Sequence, residues 1–548
     1  MYVKKYRADS KNVHHYKLQH LADVHFNPRY DGKVSKTVIW VLSLIGVLLI
    51  VTACLNFINL ATARAISRSK EVGVRKTLGS VRGQIFWQFT TETGIIVLMA
   101  TCLAFAISYA AVPYINELFN SRITLSLLSS FHIPIFLAVL VVMVTLLAGF
   151  YPGLVLSGFK PVLALKGKLS DGSGSLNVRR ALITTQFVIS QVLLFGLIVA
   201  MYQMWYVRQA DLGFNQEGIV MIPIGSRDVK MNTLRSRLAQ IPQVETVSLC
   251  LAAPASDSHW GTMFSFDNRS ETEEFSIIFR GADENYLSTF DIDLIAGRNL
   301  IPSDTINEFL VNETLVHNLG FSAPEEVLGK SLSILAGDVK GQIVGVMSDF
   351  HDQSFKSGIE PVFITTAPEL YNVYALKINM KDGSSALSAI RGTWAEMYPD
   401  EIFEYQFLDD QIASFYKTEE TMLKVIEVFS FIALTVGCMG LFGLVSFMAS
   451  RKTKEIGIRK ILGGSVGHIL WIFGKEFSRL VFIAFLVAAP IGWWLMSRWL
   501  ENYAYRVEMT WWIFGLEVSI ILVLVIVTVG YHSVKTAMAN PVRSLRTE

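Results

Sequence analysis

Three stretches of the 548-residue chain carry residue types that could do chemistry. Residues 349–352 read Asp-Phe-His-Asp and group carboxyls with an imidazole, the side chains that most often transfer protons. We interpret them as a polar loop after a strand, because the chain has no His-Glu-x-x-His motif. Residues 329–331 read Gly-Lys-Ser, like the end of a phosphate-binding loop, but Pro324 stands where that loop needs glycine. The sequence therefore predicts neither an enzyme active site nor a nucleotide site.

The third stretch is a charged decapeptide that occurs twice, at residues 70–79 and 454–463. Seven of its ten positions are identical, and two more exchange Val for Ile. Such a segment is typical of a helix at the membrane surface with snorkelling lysines, or of a short helix that docks onto a cytoplasmic partner. Because the glycines and both signs of charge recur, we favour docking. The candidate docking residues are Lys70, Glu71, Gly73, Arg75, Lys76, Gly79, Lys454, Glu455, Gly457, Arg459, Lys460 and Gly463.

Long apolar stretches flank both copies of the decapeptide. The chain is 52% hydrophobic and only 17% charged, with a mean hydropathy of +0.42, which indicates a membrane protein that also carries a soluble part. Its net charge of +2 provides no bulk electrostatic basis for binding nucleic acid. Helices of about 20 residues cross a bilayer. Seven stretches are long enough, near residues 38–60, 94–112, 133–151, 181–201, 428–448, 480–498 and 511–531.

Lysines and arginines decide the orientation of these spans. They concentrate after the first span, between the third and fourth, after the fifth and in the C-terminal tail, whereas loops 113–131 and 499–510 have few. The positive-inside rule places the basic segments in the cytoplasm, so residues 202–424 and the N-terminus are expected outside it. No signal peptide precedes the N-terminal stretch. We therefore expect one of two explanations. Either the first span inserts with its N-terminus outside, or this sequence lacks an upstream part of its gene.

The duplication extends beyond the decapeptide, since Trp87 and Glu92 recur as Trp471 and Glu476. The polar stretch between the two repeats is long enough to bury a core of its own. Its patterns predict an α+β domain with strands at 219–223, 275–279, 342–346 and 373–378, and with helices at 229–240 and 384–397. The predicted fold class is a polytopic α-helical membrane protein of two repeated units with this domain inserted.

Three polar residues within the predicted spans are candidates for a role beyond packing. Asn56 and Asn59 lie late in the first span, where polar side chains usually join helices by hydrogen bonds and where a substrate contact is the alternative. Glu517 lies in the last span, about two turns from its outer end. It either snorkels to the interface or marks a functional polar site. We treat all three as candidate intramembrane polar sites.

The two decapeptides, with Asn-Phe-Ile-Asn-Leu at residues 56–60 before the first, resemble the FtsX-like permease family of bacterial ABC transporters. Residues 296–298, 311–314, 328–330 and 344–350 resemble the MacB-type periplasmic core domain of that family. Together the resemblances cover most of the chain.

The resemblance implies a non-enzymatic permease in a bacterial inner membrane, with its central domain outside the cytoplasm. A separate cytoplasmic ATPase, a dimer, would hold ATP and Mg²⁺, and this chain would bind no cofactor. The coupling segments would be residues 67–90 and 451–474, where Glu71, Arg75, Glu455 and Arg459 face the partner or brace the segment.

The implied mechanism is mechanotransmission, in which ATPase closure is relayed through the spans to the periplasmic domain. It would serve export or the handling of lipoproteins or peptides, with a periplasmic adaptor or hydrolase as a further partner. The alternative is a signalling or scaffold protein that regulates cell-wall hydrolases or senses antimicrobial peptides. Binding partners of the central domain would separate the two.

The longer two-unit members of the family have eight spans and a core domain after the first span of each half. The resemblance therefore implies that the first span and most of the first core domain are absent from this sequence. The predicted domains are a remnant of the first core domain (1–37), permease unit 1 with three spans (38–167), a cytoplasmic linker and the fourth span (168–206), the MacB-type core domain (207–424) and permease unit 2 with three spans (425–548).

Overall fold

The computed structural model describes the chain except for residues 1–35, 120–121, 125–130, 159–172, 225–229, 257–259, 268, 270–271, 335–338, 353–357, 452–465 and 538–548. Its described residues cluster into two compact units. The membrane unit takes in the described parts of Met1–Leu197, Val425–Gly492 and Trp511–Glu548. The core unit takes in those of Ile198–Lys424 and Trp493–Thr510.

The long apolar stretches of the sequence are helical, because a span in hydrocarbon must satisfy its backbone hydrogen bonds internally. The part of the chain before the central domain contains a short helix between four long ones: α1 (Lys36–Ser67), α2 (Ser69–Thr77), α3 (Arg82–Leu118), α4 (His132–Gly158) and α5 (Ser173–Gln209). The short α2 is the segment that carries the first decapeptide.

The central domain is α+β, as the sequence predicts. Its strands are β1 (Ile219–Pro223), β2 (Val244–Cys250), β3 (Gly261–Thr262), β4 (Phe264–Phe266), β5 (Ile277–Gly281), β6 (Leu294–Gly297), β7 (Glu308–Asn312), β8 (Ser331–Ile334), β9 (Val339–Met347), β10 (Val362–Thr365), β11 (Val373–Ile378) and β12 (Gln406–Phe407). Its α-helices are α6 (Met231–Leu238), α7 (Tyr286–Phe290), α8 (Glu313–Asn318), α9 (Gly383–Met397) and α10 (Leu408–Phe415). The strand predicted at 275–279 begins two residues late, and those at 219–223 and 373–378 have the predicted bounds.

Three long helices follow the central domain: α11 (Lys417–Arg451), α12 (Val466–Leu500) and α13 (Trp511–Ala537). Within the described residues, seven helices are long and apolar enough to cross a membrane. Their spans are Ile39–Thr62, Arg82–Leu118, His132–Gly158, Val178–Gln209, Glu419–Gly443, Gly474–Leu500 and Trp511–Tyr531. All seven predicted spans are confirmed, although several helices continue well beyond the predicted bounds.

The core unit contains two sheets. The first has the strand order β12-β1-β11-β2 and is antiparallel, and α6 and α9 pack against it around the buried Leu234, Ile390 and Trp394. The second has the order β3-β5-β10-β7-β9-β8-β4, with β6 paired to β9. The β5–β10 and β7–β9 pairs in it are parallel. Since β7 and β10 are almost wholly buried, the second sheet forms the centre of the domain.

One tight turn in the second sheet explains a motif of the central domain. Gly297 ends β6 with φ = 79°, a left-handed conformation that favours glycine. A Cβ atom there would lie 2.3 Å from the carbonyl oxygen of Val344 on β9. The adjacent Arg298 accordingly donates its backbone N–H to that carbonyl (2.9 Å) and its side chain to Glu308. The Ala-Gly-Arg motif at 296–298 is thus a structural requirement of the β6–β9 pair.

A fully buried ion pair joins the second sheet to the loop after β9. Arg280 on β5 and Asp352 have side chains that are 0% and 1% exposed. The guanidinium donates from Nε (2.9 Å) and from Nη2 (2.7 Å) to Oδ1 of the carboxylate. Removing one partner would leave the other charge uncompensated in the core, whereas replacing both by apolar residues need not.

We therefore expect Asp352→Ala to weaken the core domain by about 3–5 kcal/mol, and Arg280→Met combined with Asp352→Leu to recover most of that loss. Hydrogen exchange of the β5 and β10 amides in the intact protein would measure both changes. The matched control is Glu396→Ala, which breaks an exposed ion pair with Arg237 (3.1 Å) and should have a much smaller effect. Equal effects of the two alanine variants would contradict the assignment.

Candidate functional site

The first decapeptide forms a short helix that packs against two spans. Val72 of α2 is buried in a small apolar cluster with Ile85 of α3 and Leu156 of α4, and Phe89 packs against them. The two spans themselves approach closely. A Cβ atom at Gly153 of α4 would lie 2.9 Å from the Phe86 ring of α3. Small residues permit such close packing of membrane helices, so α2 rests on a tightly packed helical hairpin.

A row of polar side chains, here called the polar ladder, joins α2 to α3. Arg75 donates to Glu71 on its own helix (2.6 Å) and to Gln88 on α3 (2.9 Å). Gln88 in turn donates to Glu92 (3.3 Å), which also accepts from Arg68 (2.9 Å). Each exposed pair contributes little alone, but a network is harder to separate than its single bonds. The ladder braces α2 at a fixed angle on α3.

Lys76 provides a second attachment, to α4. Its ammonium group donates to the backbone carbonyl oxygen of Ser157 near the end of that helix (2.6 Å). Helix C-terminal carbonyls lack intrahelical donors and carry partial negative charge, so a lysine is a favourable partner. Burial, followed by the nearby Arg82 guanidinium, lowers the pKa of Lys76. This bond and the polar ladder hold α2 from two sides.

Gly79 ends α2 in a defined way. Its φ is 102°, and its N–H donates to the carbonyl of Lys76 (3.2 Å) while the N–H of Ser80 donates to that of Arg75 (3.0 Å). These two bonds form the Schellman motif, in which a left-handed glycine closes the helix and satisfies its last carbonyls. Gly79 is therefore a helix stop, and it turns the chain into α3.

Apolar side chains lie exposed at the same end of α2. Leu78 is 82% exposed, and Val74 and Val81 are also exposed. Sequence reasoning selected the charged residues and the glycines of the decapeptide and missed these three. The repeat contained the signal for two of them, since their counterparts Ile458 and Leu462 are also apolar in an otherwise charged segment.

The predicted docking residues fall into two groups, those that the structure describes and those that it does not. Glu71, Arg75 and Lys76 serve in attaching α2, Gly73 is buried, and Gly79 terminates the helix. The side chain of Lys70 lies outside the described residues, and so do Lys454, Glu455, Gly457, Arg459, Lys460 and Gly463 of the second copy.

The two repeats meet through equivalent positions in α1 and α11. Under the alignment that matches Lys70 with Lys454, Ile45 corresponds to Phe429 and Leu49 to Ala433, and all four lie in one apolar cluster. The two repeated units therefore share this apolar cluster, together with Ile189 and Leu193 of α5.

Asn56 lies at this interface, opposite its own repeat counterpart. A Cβ atom at Gly440 would be 3.3 Å from the Asn56 side-chain oxygen and 2.8 Å from that of Gln186 on α5. Gln186 donates to the carbonyl of Val436 (3.0 Å). The buried Asn59 amide has no hydrogen-bond partner among the described residues, so the predicted helix-joining bond is not found for it.

Glu517 is fully buried in α13. Its side chain lies on the inward stripe of that helix with Ile513, Ile521 and Val525, and it is 0% exposed. Neither carboxyl oxygen has a hydrogen-bond partner within the described part of the chain. Of the two sequence interpretations, snorkelling to the interface is wrong, because the carboxyl group does not reach solvent.

The two catalytic-looking motifs of the core domain have structural roles. Asp349 accepts from the backbone N–H (2.9 Å) and the hydroxyl (2.8 Å) of Thr314 at the start of α8, and His351 packs on the ring of Tyr505. Lys330 lies 3.7 Å from Asp267 and over the Phe321 ring. In the described ranges, no group of three His, Cys, Asp or Glu residues could hold a metal ion. The segment 349–352 follows β9, as the sequence predicts, but Phe350, His351 and Asp352 in it are buried.

Comparisons with known proteins match this architecture. The family model of the FtsX-like permease C-terminal region matches residues 43–161 and 427–541, the two repeated units. The model of the MacB-like periplasmic core domain matches residues 188–391 between them. The chain therefore belongs to the MacB/FtsX-type family of ABC transporter permeases. It is a multi-pass inner-membrane protein with an extracytoplasmic central domain.

Individual relatives are distant. The chain is 25% identical over 87 residues to the uncharacterized ABC transporter permease YknZ of Bacillus subtilis, covering 16% of this chain and 22% of that protein. It is 27% identical over 93 residues to the macrolide export ATP-binding/permease protein MacB of Chromobacterium violaceum, covering 17% and 14% respectively. The chain thus aligns with less than a quarter of either relative. The periplasmic region of MacB from Actinobacillus actinomycetemcomitans aligns at 14% identity over 38% of this chain and 97% of that one, with a TM-score of 0.27.

The Schellman motif predicts a specific effect of Gly79→Ala. A left-handed conformation costs a residue with a Cβ about 1–2 kcal/mol, so the end of α2 should open roughly 5–30 times more often. Hydrogen exchange of the Gly79 and Ser80 amides would report this opening. Gly83→Ala is the control, because Gly83 lies inside α3 with open space around its Cβ position, and alanine there favours the helix. Faster exchange in both variants would contradict the motif.

The burial of His351 predicts that local stability around it depends on pH. Burial lowers its pKa, and the nearby Asp211 and Asp349 only partly oppose this. The folded state therefore binds the proton less well than the unfolded chain, whose value is about 6.5. The contribution of neutral His351 to the free energy of unfolding is therefore fully present above that pH and decreases as the pH falls below it. We expect faster opening of the His351–Tyr505 contact at about pH 5.5 than at about pH 7.5, and a flat response in His351→Gln. Exchange of the His351 and Val507 amides, corrected for intrinsic rates, would test it, and an unchanged pH response in the variant would refute it.

Proposed function

We propose that the chain is the transmembrane subunit of an ABC transporter and that α2 is one of its docking elements for a separate cytoplasmic ATPase. The second decapeptide would form the other, so one duplicated chain would engage an ATPase dimer. ATP and Mg²⁺ would bind to the ATPase alone. The transporter would act in export or in the handling of lipoproteins or peptides on the periplasmic side.

The observation that carries this proposal is the exposed Leu78 at the tip of a braced helix. Leu78 and Val74, one helical turn apart and both exposed, form an apolar surface at this end of α2, and exposed apolar patches mark sites of contact with partners. The same helix carries the charged groups Glu71 and Arg75, and interfaces commonly combine an apolar centre with a polar rim. A force applied to Leu78 would pass through Arg75 and Lys76 into both spans of the hairpin.

Within the core unit, the outer end of α5 is bonded to α11 and to the loop before α13. These contacts would carry motion to the periplasmic side. The outer end of α5 enters the core around Met204 and Val207. Arg208 of α5 pairs with Glu420 of α11. Gln203 accepts from the backbone N–H of Val507 (2.9 Å) and donates to the carbonyl of residue 505 (2.9 Å), so the loop between α12 and α13 is tied to the same helix. The relay therefore needs only rigid helices, and this fits mechanotransmission.

The test is ATPase retention. The tagged chain would be purified from native membranes, and the bound ATPase would be identified by mass spectrometry and by its ATP hydrolysis. Leu78→Asp combined with Leu462→Asp should weaken binding at least about 30-fold, the loss expected when a central apolar contact of an interface is removed. The membrane insertion of the variant should be unchanged, because both side chains lie in cytoplasmic segments.

Ile402→Asp is the matched control, because Ile402 is also 82% exposed but lies in the core unit. Retention of the ATPase by the control and its loss from the double variant would support the proposal. Retention by both would reject α2 as the docking element. Absence of any ATPase from the unsubstituted chain would favour a signalling or scaffold function.

A further inference from the structure

The buried carboxyl group of Glu517 is not used by the proposed docking mechanism. Its two oxygens are without hydrogen-bond donors in the described structure, and its side chain has no exposed surface. An ionised carboxylate without a partner is among the most costly groups to place in an apolar interior, and intramembrane acids usually mark ion or proton sites. Something must therefore compensate this group.

Three aromatic rings establish which helices surround it. Phe514, one turn before Glu517 on α13, stacks on Phe195 of α5 with ring centroids 4.8 Å apart. Its ring also contacts Phe485 of α12 at 6.3 Å. By the topology of the spans, α13 runs antiparallel to both α5 and α12. Moving one turn toward the cytoplasm from this aromatic layer leads to Glu517 on α13, and to residues four positions earlier on the other two helices.

Those residues are Gln191 on α5 and Val481 on α12. The amide of Gln191 donates to the backbone carbonyl of Val481 (3.3 Å), which confirms that the two helices meet at this level. The Gln191 side chain is 0% exposed, and its oxygen has no hydrogen-bond donor among the described residues. Helical rise places Gln191 and Glu517 within about 2 Å of the same depth. The layer thus gathers three acceptor oxygens, two from Glu517 and one from Gln191.

In the described parts of these three helices, no cationic side chain is found beside this layer. Between Trp511 and Gly530, α13 has no other ionisable side chain, and α5 has none at residues 186–197. On α12, the basic residue nearest to Val481 is Arg479, which is exposed. The other charged groups on these helices lie nearer their ends. Arg208 and Arg498 are at the outer ends, and the cytoplasmic side has Arg179, Lys475 and the ion pair of Arg180 with Glu476 (2.6 Å).

From this arrangement we propose that Glu517 is a proton-binding site of the membrane unit, in which the carboxyl is protonated while α5, α12 and α13 are packed together. An ionised carboxylate can only accept hydrogen bonds, whereas a protonated carboxyl has an O–H group. That O–H can donate to a nearby acceptor oxygen such as that of Gln191. When the helices separate and water enters, the acid dissociates to a carboxylate and the proton passes to water. The packing of these spans is thereby linked to pH.

Hydrophobic carbodiimide tests this directly in the intact protein. Dicyclohexylcarbodiimide reacts with protonated carboxyl groups in apolar surroundings. The acid adds its O–H across one C=N bond, and rearrangement gives an N-acylurea that retains the whole reagent. Mass spectrometry of peptides from the labelled protein would locate the adduct. We expect it at Glu517, lost in Glu517→Gln, and falling about tenfold per pH unit in alkaline buffer once the acid is mostly ionised.

Glu404 provides the internal control, because it lies in the core domain, outside the spans, and is exposed. It should be labelled at least about tenfold less than Glu517, and Glu404→Gln should leave the Glu517 adduct unchanged. Absence of an adduct at Glu517, or an adduct that does not vary with pH, would overturn the proposal. Protection by sodium at constant pH would overturn it in favour of a metal cation in the same layer. Neither readout depends on an ATPase, so the result is independent of the docking mechanism.

Discussion

The hydrocarbon core of the bilayer is the constraint on which this structure depends. It contains no water to satisfy peptide groups, so the chain crosses it only as helices. The same absence of water makes each polar side chain between the spans costly unless another group compensates it. Few such side chains occur here, and Gln186, Gln191 and Glu517 lie where helices meet. Their positions show where the packing of the membrane helices depends on polar groups as well as on apolar contacts.

The cytoplasmic face shows how a short helix can serve as a rigid contact. A nine-residue helix such as α2 is marginal in isolation, because helix nucleation is costly. Here the polar ladder, the Lys76 bond to α4 and the stop at Gly79 replace the missing length. The charges of α2 thus bond mainly within the chain, and the proposed docking assigns the contact with a partner to the exposed Leu78.

The two repeats are not equivalent where they meet. Asn56 of α1 faces glycine at the corresponding position of α11, which allows the amide of Gln186 to enter from α5. Likewise Glu92 pairs with Arg68 inside the polar ladder, while its counterpart Glu476 pairs with Arg180 of α5. In both cases α5 takes part on one side only.

Much of the architecture was determined by the sequence alone. Apolar length, basic loops and the duplicated decapeptide predict seven spans, their orientation and the inserted domain, because each is a local property of composition or spacing. The sequence could not show that Arg75 bonds both to Glu71 and to Gln88 of α3, nor that Gln191 bonds to α12 and Glu517 is fully buried. Those facts depend on the rotation and depth of helices far apart in the chain, which are decided by side-chain packing in three dimensions. A repeat shows which residues were retained, whereas only the tertiary structure shows whether each of them is exposed, paired or buried.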